Sequence, residues 1–179
     1  RGIKLQGKIT EVDKDTHARI SPVEVLAKLR AVHAGGVQTG GNSSALVDAA
    51  AAAIVASGAY ARAEGKKPLA RVVAAAVVGV PPEIMGIGPK EAIPVACRAA
   101  GITQDQLDWI ELNEAFAAQS LAVIKDLGLD PAKVNPIGGA IALGHPLGAS
   151  GARLATTAIN QLHTGGGRYA LCTMCIGVG

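Results

Sequence analysis

The sequence has 179 residues, of which 49% are hydrophobic and 17% are charged, and its formal net charge is +3. This length suits one domain with parts of another, and the hydrophobic share excludes a disordered chain. Only 2% of the residues are aromatic, so Ala, Val, Ile and Leu must form the core, which favours a layered α/β fold. The sequence has no basic cluster typical of nucleic-acid binding and no apolar run near the ~18 residues of a membrane span.

Three cysteines are present, Cys97, Cys172 and Cys175. This number is small and odd, which argues against a disulfide framework and favours a reducing intracellular compartment, either the cytoplasm or the matrix of a eukaryotic organelle. Cys172 and Cys175 have the CxxC spacing, but neither a second CxxC nor a histidine pair accompanies them to complete a zinc site. We therefore predict no metal site and interpret Cys172 as a residue packed inside a strand.

The first 65 residues predict a mixture of short elements. The alternating stretch from Ile3 to Thr10 is typical of a half-exposed strand. Ser21-Pro22-Val23-Glu24 combines a capping box with Pro at the first helical position, which predicts a helix to about His33. The expected elements that follow are a short strand at 37–39, a polar loop at 40–44 and an Ala-rich helix from about Ala45 to Glu64.

From Leu69 onward, predicted strands and helices alternate. The predicted elements are a buried strand from Arg71 to Val80, a helix from Gly88 to Gly101 that Pro94 kinks or delays, a short helix with a capping box at Thr103–Gln106, a strand at 108–112, helices at 113–127 and 148–163, and a strand at 169–175. This alternation predicts an α/β fold, a layered βαβ domain with a mixed sheet and helices on both faces. We expect the domain to be incomplete, because no strand follows Gly179 to pair with the last one.

Three segments place reactive groups near the ends of predicted strands, where α/β folds bind their ligands. Asn113 can donate to an oxygen or hold a water, or it can simply cap the next helix. His145 lies in a glycine-rich loop before a helix whose positive end favours the neutral imidazole that a general base requires. Cys175 offers an acid/base thiol, and the nearby Gly177 N–H offers an oxyanion donor.

Four motifs of this sequence, in their order, resemble those of thiolases. They are Thr39-Gly40-Gly41-Asn42-Ser43-Ser44, Asn113-Glu114-Ala115-Phe116, Gly144-His145-Pro146-Leu147-Gly148-Ala149-Ser150-Gly151 and Cys175-Ile176-Gly177-Val178-Gly179. The resemblance runs from about Asp15 to Gly179. It implies an acyltransferase of fatty acid metabolism, working in either direction: thiolytic cleavage of 3-ketoacyl-CoA, or the Claisen condensation of acetyl-CoA.

The resemblance also implies roles for individual residues. His145 would activate a nucleophilic cysteine in an N-terminal domain, and Cys175 would move the proton on the α-carbon of acetyl-CoA. Asn113 would hold a water that, with His145, stabilises the enolate oxygen. The N–H of Gly177 would contribute to a second oxyanion hole. We expect His145, Cys175 and Asn113 to converge on one cavity, with the imidazole within ~10 Å of the thiol.

Coenzyme A and acyl-CoA are the ligands that the resemblance implies, as substrates and not as permanent cofactors. Ser44, Ala115 and Phe116 would line the coenzyme A tunnel. The implied domains are the tail of a loop domain at 1–33, the last strand and helix of an N-terminal thiolase domain at 34–65, and a C-terminal thiolase domain at 66–179 without its final strand. The complete protein would form a homodimer or homotetramer.

The sequence departs from the thiolase pattern at several positions. The nucleophilic cysteine is absent, because neither Cys97 nor Cys172 stands in its motif. Gly40 replaces the usual Ala, and residues 45–48 differ from the usual Gly-Leu-Asn-Asp. Two alternatives stay open: a non-catalytic thiolase-like fragment that acts in assembly or coenzyme A binding, and a β-ketoacyl synthase, whose sites resemble Cys-His-His.

We predict that residues 1–179 alone do not catalyse thiolysis or condensation. Without the nucleophile no acyl-enzyme forms, and removing a nucleophile typically lowers the rate by a factor on the order of 10⁴ or more. The measurement is cleavage of acetoacetyl-CoA by coenzyme A, with and without a co-expressed N-terminal portion. Turnover by the isolated chain that is lost on His145→Ala would show that a cysteine of this chain is the nucleophile.

Overall fold

The computed structural model describes residues 2–5, 8–11, 13–15 and 17–177. Gln6 and Gly7 of the predicted first strand, and Val178 and Gly179 of the last motif, lie outside the described residues. No helix among the described residues is long and apolar enough to cross a membrane.

Most of the strands and helices lie in the second half of the described chain. The strands are β1 (Gly2–Leu5), β2 (Lys8–Glu11), β3 (Trp109–Leu112) and β4 (Ala170–Thr173). The α-helices are α1 (Val23–Leu26), α2 (Gly58–Ala63), α3 (Gly88–Ala100), α4 (Ala117–Leu127), α5 (Ala140–Leu143) and α6 (Leu147–Thr164). Short 3₁₀ helices cover Pro82–Ile87, Gln104–Gln106 and Pro131–Lys133.

The centre of the fold is the parallel pair of β3 and β4. Trp109 pairs with Ala170 and Leu112 pairs with Thr173, so the two strands end at the same edge. Helices α4, α5 and α6 lie between the two strands in sequence, and together they form the βαβ crossover that a parallel pair requires. Helix α6 packs against both strands.

The side chains of β3 alternate between two buried layers. Ile110 and Leu112 face the apolar core, which also contains Ile93, Cys97, Leu107, Val123, Leu129 and Val134 from α3, α4 and the connecting loops. Glu111 points to the opposite face, where its carboxylate accepts a hydrogen bond from Gln161 of α6. Helices therefore cover both faces of this strand pair, as the alternation of elements predicted.

The side chain of Asp108, the residue before β3, binds the backbone that leads into β4. Its carboxylate accepts hydrogen bonds from the backbone N–H groups of Arg168 and Tyr169, at 2.6 and 3.0 Å, and these bonds lower the pKa of Asp108. Gly167 has a φ of 110°, and a Cβ there would approach the Asp108 side chain to 2.7 Å, so the turn before β4 requires glycine. These contacts align β4 with β3.

Asn135 supports the free side of β3 with both its backbone and its side chain. Its backbone N–H donates to the Ile110 carbonyl at 2.9 Å, its Oδ1 accepts from the Leu112 N–H at 2.9 Å, and its Nδ2 donates to the Leu112 carbonyl at 2.8 Å. Asn135 has a φ of 47°, a left-handed conformation that Asn tolerates better than most residues. Asn135 thus forms hydrogen bonds with the β3 backbone that a neighbouring strand would otherwise form.

Several predictions in the second half of the chain are confirmed. Helix α3 ends at Gly101, which has the left-handed φ of 69°, and the capping box between Thr103 and Gln106 is formed. Pro94 lies inside α3, but the helix begins at Gly88 and its start is not delayed. The loop at 135–147 contains the short helix α5, which was not predicted.

The predicted Ala-rich helix from Ala45 to Glu64 is wrong, because only Gly58–Ala63 is helical. The chain before it is tethered by tertiary contacts that a helix cannot satisfy. The Ala45 carbonyl accepts from the His145 N–H at 2.8 Å, and Val47 lies against Gly144. The helical preference of Ala is overridden until Ser57, whose hydroxyl accepts from the Tyr60 N–H at 3.1 Å and caps α2.

The helix predicted to run from Ser21 to His33 is also wrong, since α1 covers only Val23–Leu26 and Ser21 does not cap it. The Val32 N–H instead donates to the Gln38 carbonyl, which bends the chain back on itself. The strand predicted at 37–39 is a loop, organised by the Asn42 side chain, which accepts from the Thr39 N–H and donates to the Val37 carbonyl.

Three strand and helix boundaries also differ from prediction. The stretch from Ile3 to Thr10 contains two antiparallel strands, β1 and β2, and not one. Residues 71–80 belong to no described strand, although exposure alternates along 74–80 as in an extended chain. Helix α4 begins at Ala117 and not at Asn113, because the Ala117 N–H donates to the Asn42 carbonyl.

We predict that Asn135→Ala lowers the free energy of unfolding by about 2–4 kcal/mol, since it removes the side-chain hydrogen bonds to Leu112 and places Ala in a left-handed conformation. Urea unfolding followed by the fluorescence of Trp109, the one tryptophan of the sequence, measures the change. The matched control is Asn160→Ala on the exposed side of α6, expected within about 0.5 kcal/mol of the parent. Equal effects of the two substitutions would contradict the role of Asn135.

Candidate active site

Asn113 occupies the first position after β3 and is completely buried. Its backbone N–H donates to the Thr173 carbonyl at 2.9 Å and extends the pairing of β3 with β4 by one residue. Neither Oδ1 nor Nδ2 of its side chain has a hydrogen-bond partner among the described residues. Because an unpaired buried amide is costly, this side chain marks a place for a water or a ligand atom. The capping alternative is excluded, because the cap of α4 is Phe116.

His145 is held in the turn before α6 by two contacts. Its backbone N–H donates to the Ala45 carbonyl at 2.8 Å, and its Nδ1 lies 2.6 Å from the Ser150 hydroxyl oxygen. The Ser150 hydroxyl oxygen also lies 3.1 Å from the Pro146 carbonyl oxygen, which can accept its single proton. With the proton on that carbonyl, Ser150 accepts from His145, and the ring then carries its proton on Nδ1 and has a free lone pair on Nε2; a Ser150 that donates to Nδ1 requires the other tautomer.

The surroundings of His145 favour its neutral form. Burial lowers the pKa of the imidazole, and the positive charge of Arg153 lowers it further. The N-terminus of α6, which begins at Leu147, contributes a partial positive charge of the same sign. A neutral ring with a free Nε2 is the form that accepts a proton from a thiol.

Cys175 and Gly177 follow the end of β4, at the same edge of the strand pair as Asn113. Cys175 is half-buried, and burial raises the pKa of its thiol. The thiol is therefore protonated at neutral pH and able to donate a proton. Gly177 lies beside Met85, whose Cε would be 3.7 Å from a Cβ at that position.

The residues predicted to line a coenzyme A tunnel lie next to one another, although 71 residues separate Ser44 from Ala115. The Ser44 N–H donates to the Ala115 carbonyl at 3.0 Å, and its hydroxyl donates to the same oxygen at 3.3 Å. Ser43 forms an antiparallel bridge with Phe116, which is 40% exposed. These contacts place the loop at 39–44 beside the motif that begins at Asn113.

The segments that carry the predicted site residues are contiguous in space. The hydrogen bond between Ala45 and His145 joins the Ser44 loop to the start of α6. A Cβ at Gly151 of α6 would lie 3.9 Å from Met174, the neighbour of Cys175. The approach of the His145 imidazole to the Cys175 thiol stays a prediction.

Two supporting residues were missed from the sequence, Ser150 and Glu114. The Glu114 carboxylate accepts hydrogen bonds from the Ile141 N–H and the Asn135 Nδ2, both at 3.1 Å. A Cβ at Gly139 would overlap this carboxylate, so the glycine permits the contact. Glu114 therefore shapes the loop that leads to His145. The sequence held a signal for Glu114: an acidic residue directly after Asn113, and a later glycine pair, Gly138-Gly139, that allows the backbone to approach its carboxylate.

The comparison with protein families matches residues 66–179 to the family "Thiolase, C-terminal domain". Among curated proteins, the chain is 54% identical over 178 residues to "Beta-ketoadipyl-CoA thiolase" of Acinetobacter baylyi, covering 97% of this chain and 44% of that protein. It is 53% identical over 180 residues to "3-oxoadipyl-CoA/3-oxo-5,6-dehydrosuberyl-CoA thiolase" of Escherichia coli, covering the same shares of the two chains. The chain thus spans less than half the length of these relatives.

Solved structures agree with this assignment. Human mitochondrial 3-ketoacyl-CoA thiolase superposes with a TM-score of 0.87 at 40% identity, over 100% of this chain and 46% of that chain. The same human enzyme in complex with CoA gives a TM-score of 0.85 at 41% identity, over 99% of this chain and 45% of that chain. The family match covers more than half of the sequence, and the curated relatives are half identical to it. This chain belongs to the thiolase family.

Proposed function

We propose that residues 1–179 supply the acid/base and oxyanion half of a thiolase active site. The reaction is acyl transfer, by thiolytic cleavage of a 3-ketoacyl-CoA or by the reverse Claisen condensation of acetyl-CoA. The observation that carries the proposal is the hydrogen-bonded chain from His145 Nδ1 through Ser150 to the Pro146 carbonyl, which leaves Nε2 as a base. The fully buried, unpaired side chain of Asn113 supports it, because it offers a place for the bound water.

The nucleophile in this proposal is a cysteine of an N-terminal thiolase portion. Cys97 does not replace it, because this residue of α3 is buried in the apolar core and burial raises the pKa of its thiol. Cys172 does not replace it either, since it lies within β4 and not in the turn after it. Cys172 lies inside a strand, as predicted; the residue as a whole is exposed, but desolvation of its thiol raises the pKa to about 11.

In the cleavage direction, His145 takes the proton of the nucleophilic thiol through Nε2. The thiolate attacks the 3-keto carbonyl, and the bond between the α- and β-carbons breaks with its electron pair moving to the α-carbon. Cys175 donates its proton to that carbon, which completes acetyl-CoA and leaves the Cys175 thiolate. The thiol of a coenzyme A then transfers its proton to restore Cys175, and its sulfur takes the acyl group from the nucleophilic cysteine. That cysteine leaves as a thiolate and recovers its proton from His145.

Two groups stabilise negative oxygens in this scheme. A water held by Asn113, together with His145, faces the enolate oxygen of acetyl-CoA. The Gly177 N–H contributes to the oxyanion hole for the tetrahedral intermediate on the nucleophilic cysteine. Pre-oriented donors of this kind are each worth about 10²–10³ in rate.

Coenzyme A and acyl-CoA are substrates in this proposal and not permanent cofactors. The backbone contacts between Ser44 and Ala115 hold the tunnel wall together, and the exposed part of Phe116 offers apolar surface to the pantetheine arm. The complete enzyme is a homodimer or homotetramer in an intracellular compartment.

We predict that Cys175→Ala abolishes proton exchange at the α-carbon of acetyl-CoA but spares acylation of the nucleophile. The test uses these 179 residues joined to the N-terminal portion of the Acinetobacter baylyi relative, called here the joined chain. Exchange in deuterated water should fall by about 10²–10⁴-fold, while mass spectrometry still detects the acyl-enzyme. Cys172→Ala is the matched control and keeps both reactions. A folded Cys175→Ala variant that forms no acyl-enzyme would refute the division of labour between the two thiols.

We predict that Ser150→Ala slows acyl-enzyme formation in the joined chain by roughly 10-fold, because the ring proton of His145 loses the acceptor that keeps it on Nδ1. Stopped-flow measurement of the first turnover gives this rate. Ser120→Ala removes a buried serine hydroxyl from α4 and serves as the control, with acylation unchanged. An equal rate in the Ser150→Ala variant and the parent would show that the tautomer does not depend on Ser150.

A further inference from the structure

Farther along α6 than Ser150, two polar side chains of this helix approach Glu111 of β3. Gln161 Nε2 donates to Glu111 Oε1 at 2.5 Å, and Arg153 Nη1 lies 3.8 Å from Glu111 Oε2. Glu111 is completely buried, and burial raises the pKa of its carboxyl group. Arg153 and Gln161 are eight residues apart and therefore lie on one face of the helix.

The Arg153 guanidinium is buried without a hydrogen bond. All three of its nitrogens are inaccessible, and among the described residues none has a hydrogen-bond partner. Glu111 Oε2 is also unpaired. At 3.8 Å without a hydrogen bond, the attraction of the two charges does not offset the several kcal/mol that desolvation of each costs. Stability alone therefore does not account for this arginine.

The position of Arg153 links the segments of the candidate site. It lies one turn after Ser150, which holds Nδ1 of His145. Glu111 lies two residues before Asn113, on the same face of β3. Burial is the larger cause of the lowered pKa of His145, and the positive charge of Arg153 lowers this pKa further.

We propose that Arg153 is a positioning residue for His145, anchored by Glu111, which sets the start of α6 against β3 and keeps a positive charge behind the imidazole. This inference rests on the proposed function, because it assigns a purpose to Arg153 only if His145 acts as a base. Neither Arg153 nor Glu111 is placed in contact with substrate. Both act through the position and the charge state of His145.

The first test is an NMR titration of the His145 imidazole in the joined chain, with the resonance assigned by its loss in the His145→Ala variant. Arg153→Met should move the titration midpoint to higher pH by roughly half a unit or more, since a nearby positive charge is removed. Arg153→Lys keeps the charge and should stay near the parent. Lys90→Met, which breaks the exposed contact between Lys90 and Asp126 at 2.9 Å, is the control and leaves the midpoint unchanged.

The second test is the pH dependence of acylation. His145 has a lowered pKa, so the acid limb of the parent should lie below pH 6.5, the usual value of an imidazole. Arg153→Met should shift this limb upward by the same amount as the titration, with a fall of roughly 2-fold or more in kcat at the parent's midpoint and little change in KM. Arg153→Gln also removes the positive charge but keeps a polar side chain beside Glu111, and it should show the same shift if Arg153→Met does not fold.

Three outcomes would overturn the proposal. The His145 midpoint is unchanged in a folded Arg153→Met or Arg153→Gln variant, the Lys variant shifts as much as the Met variant, or Lys90→Met produces the same shift. Because the titration needs no turnover, it tests Arg153 even if the parent joined chain is inactive. An inactive parent would count against the proposed function and not against the coupling of Arg153 to His145.

Discussion

Burial of both faces of β3 is the constraint on which the described structure depends. One face supplies Ile110 and Leu112 to the apolar core, and the other presents Glu111 and Asn113 to a polar layer beneath α6. A strand that is covered on both sides has little freedom to shift, because a slip of one residue would exchange its apolar and polar faces. The polar groups at its end are therefore held in place by the packing of the entire domain.

The polar layer shows how the fold separates stability from reactivity. Stability comes from the apolar side, where α3 and α4 pack against β3. The opposite side contains unpaired atoms of Asn113, Arg153 and Glu111, which native proteins rarely bury without a reason. The unpaired atoms of these three residues are the part of the layer that hydrogen bonding among the described residues does not explain.

The second half of the chain was predictable because its signals are local. The glycine stop at Gly101, the capping box at Thr103 and the apolar strand before Asn113 all depend on residues close in sequence, and each is found where expected. The motif residues were also identifiable, since Asn113 and Cys175 fall at the ends of predicted strands and His145 lies in a glycine-rich loop. The contact of His145 with Ser150 was not predicted, because a serine inside a helix carries no signal of its partner.

The first half of the chain was predicted poorly for a different physical reason. Residues 45–57 are rich in Ala and therefore favour a helix by propensity, but they are not helical, and Ala45 and Val47 instead contact His145 and Gly144, about a hundred residues away. The run at 71–80 reads as a strand, yet it belongs to no described strand. Propensity does not contain the position of a distant partner, so such segments cannot be assigned from sequence alone.

The connection between the Ser44 loop and the two motifs beside it depends mainly on main-chain atoms. Ser44 reaches Ala115, Asn42 reaches Ala117 and Ala45 reaches His145 through amide and carbonyl groups that every residue type except proline can provide. The Asn42 side chain is the exception, because it holds residues 37–39. Ala45 contributes only its carbonyl, and a Cβ at Gly40 would meet no atom within 4 Å, so these two positions can depart from the thiolase pattern without loss of a contact. Over evolutionary time, such a junction tolerates drift in sequence at these positions without losing its contacts with the motifs that begin at Asn113 and Gly144.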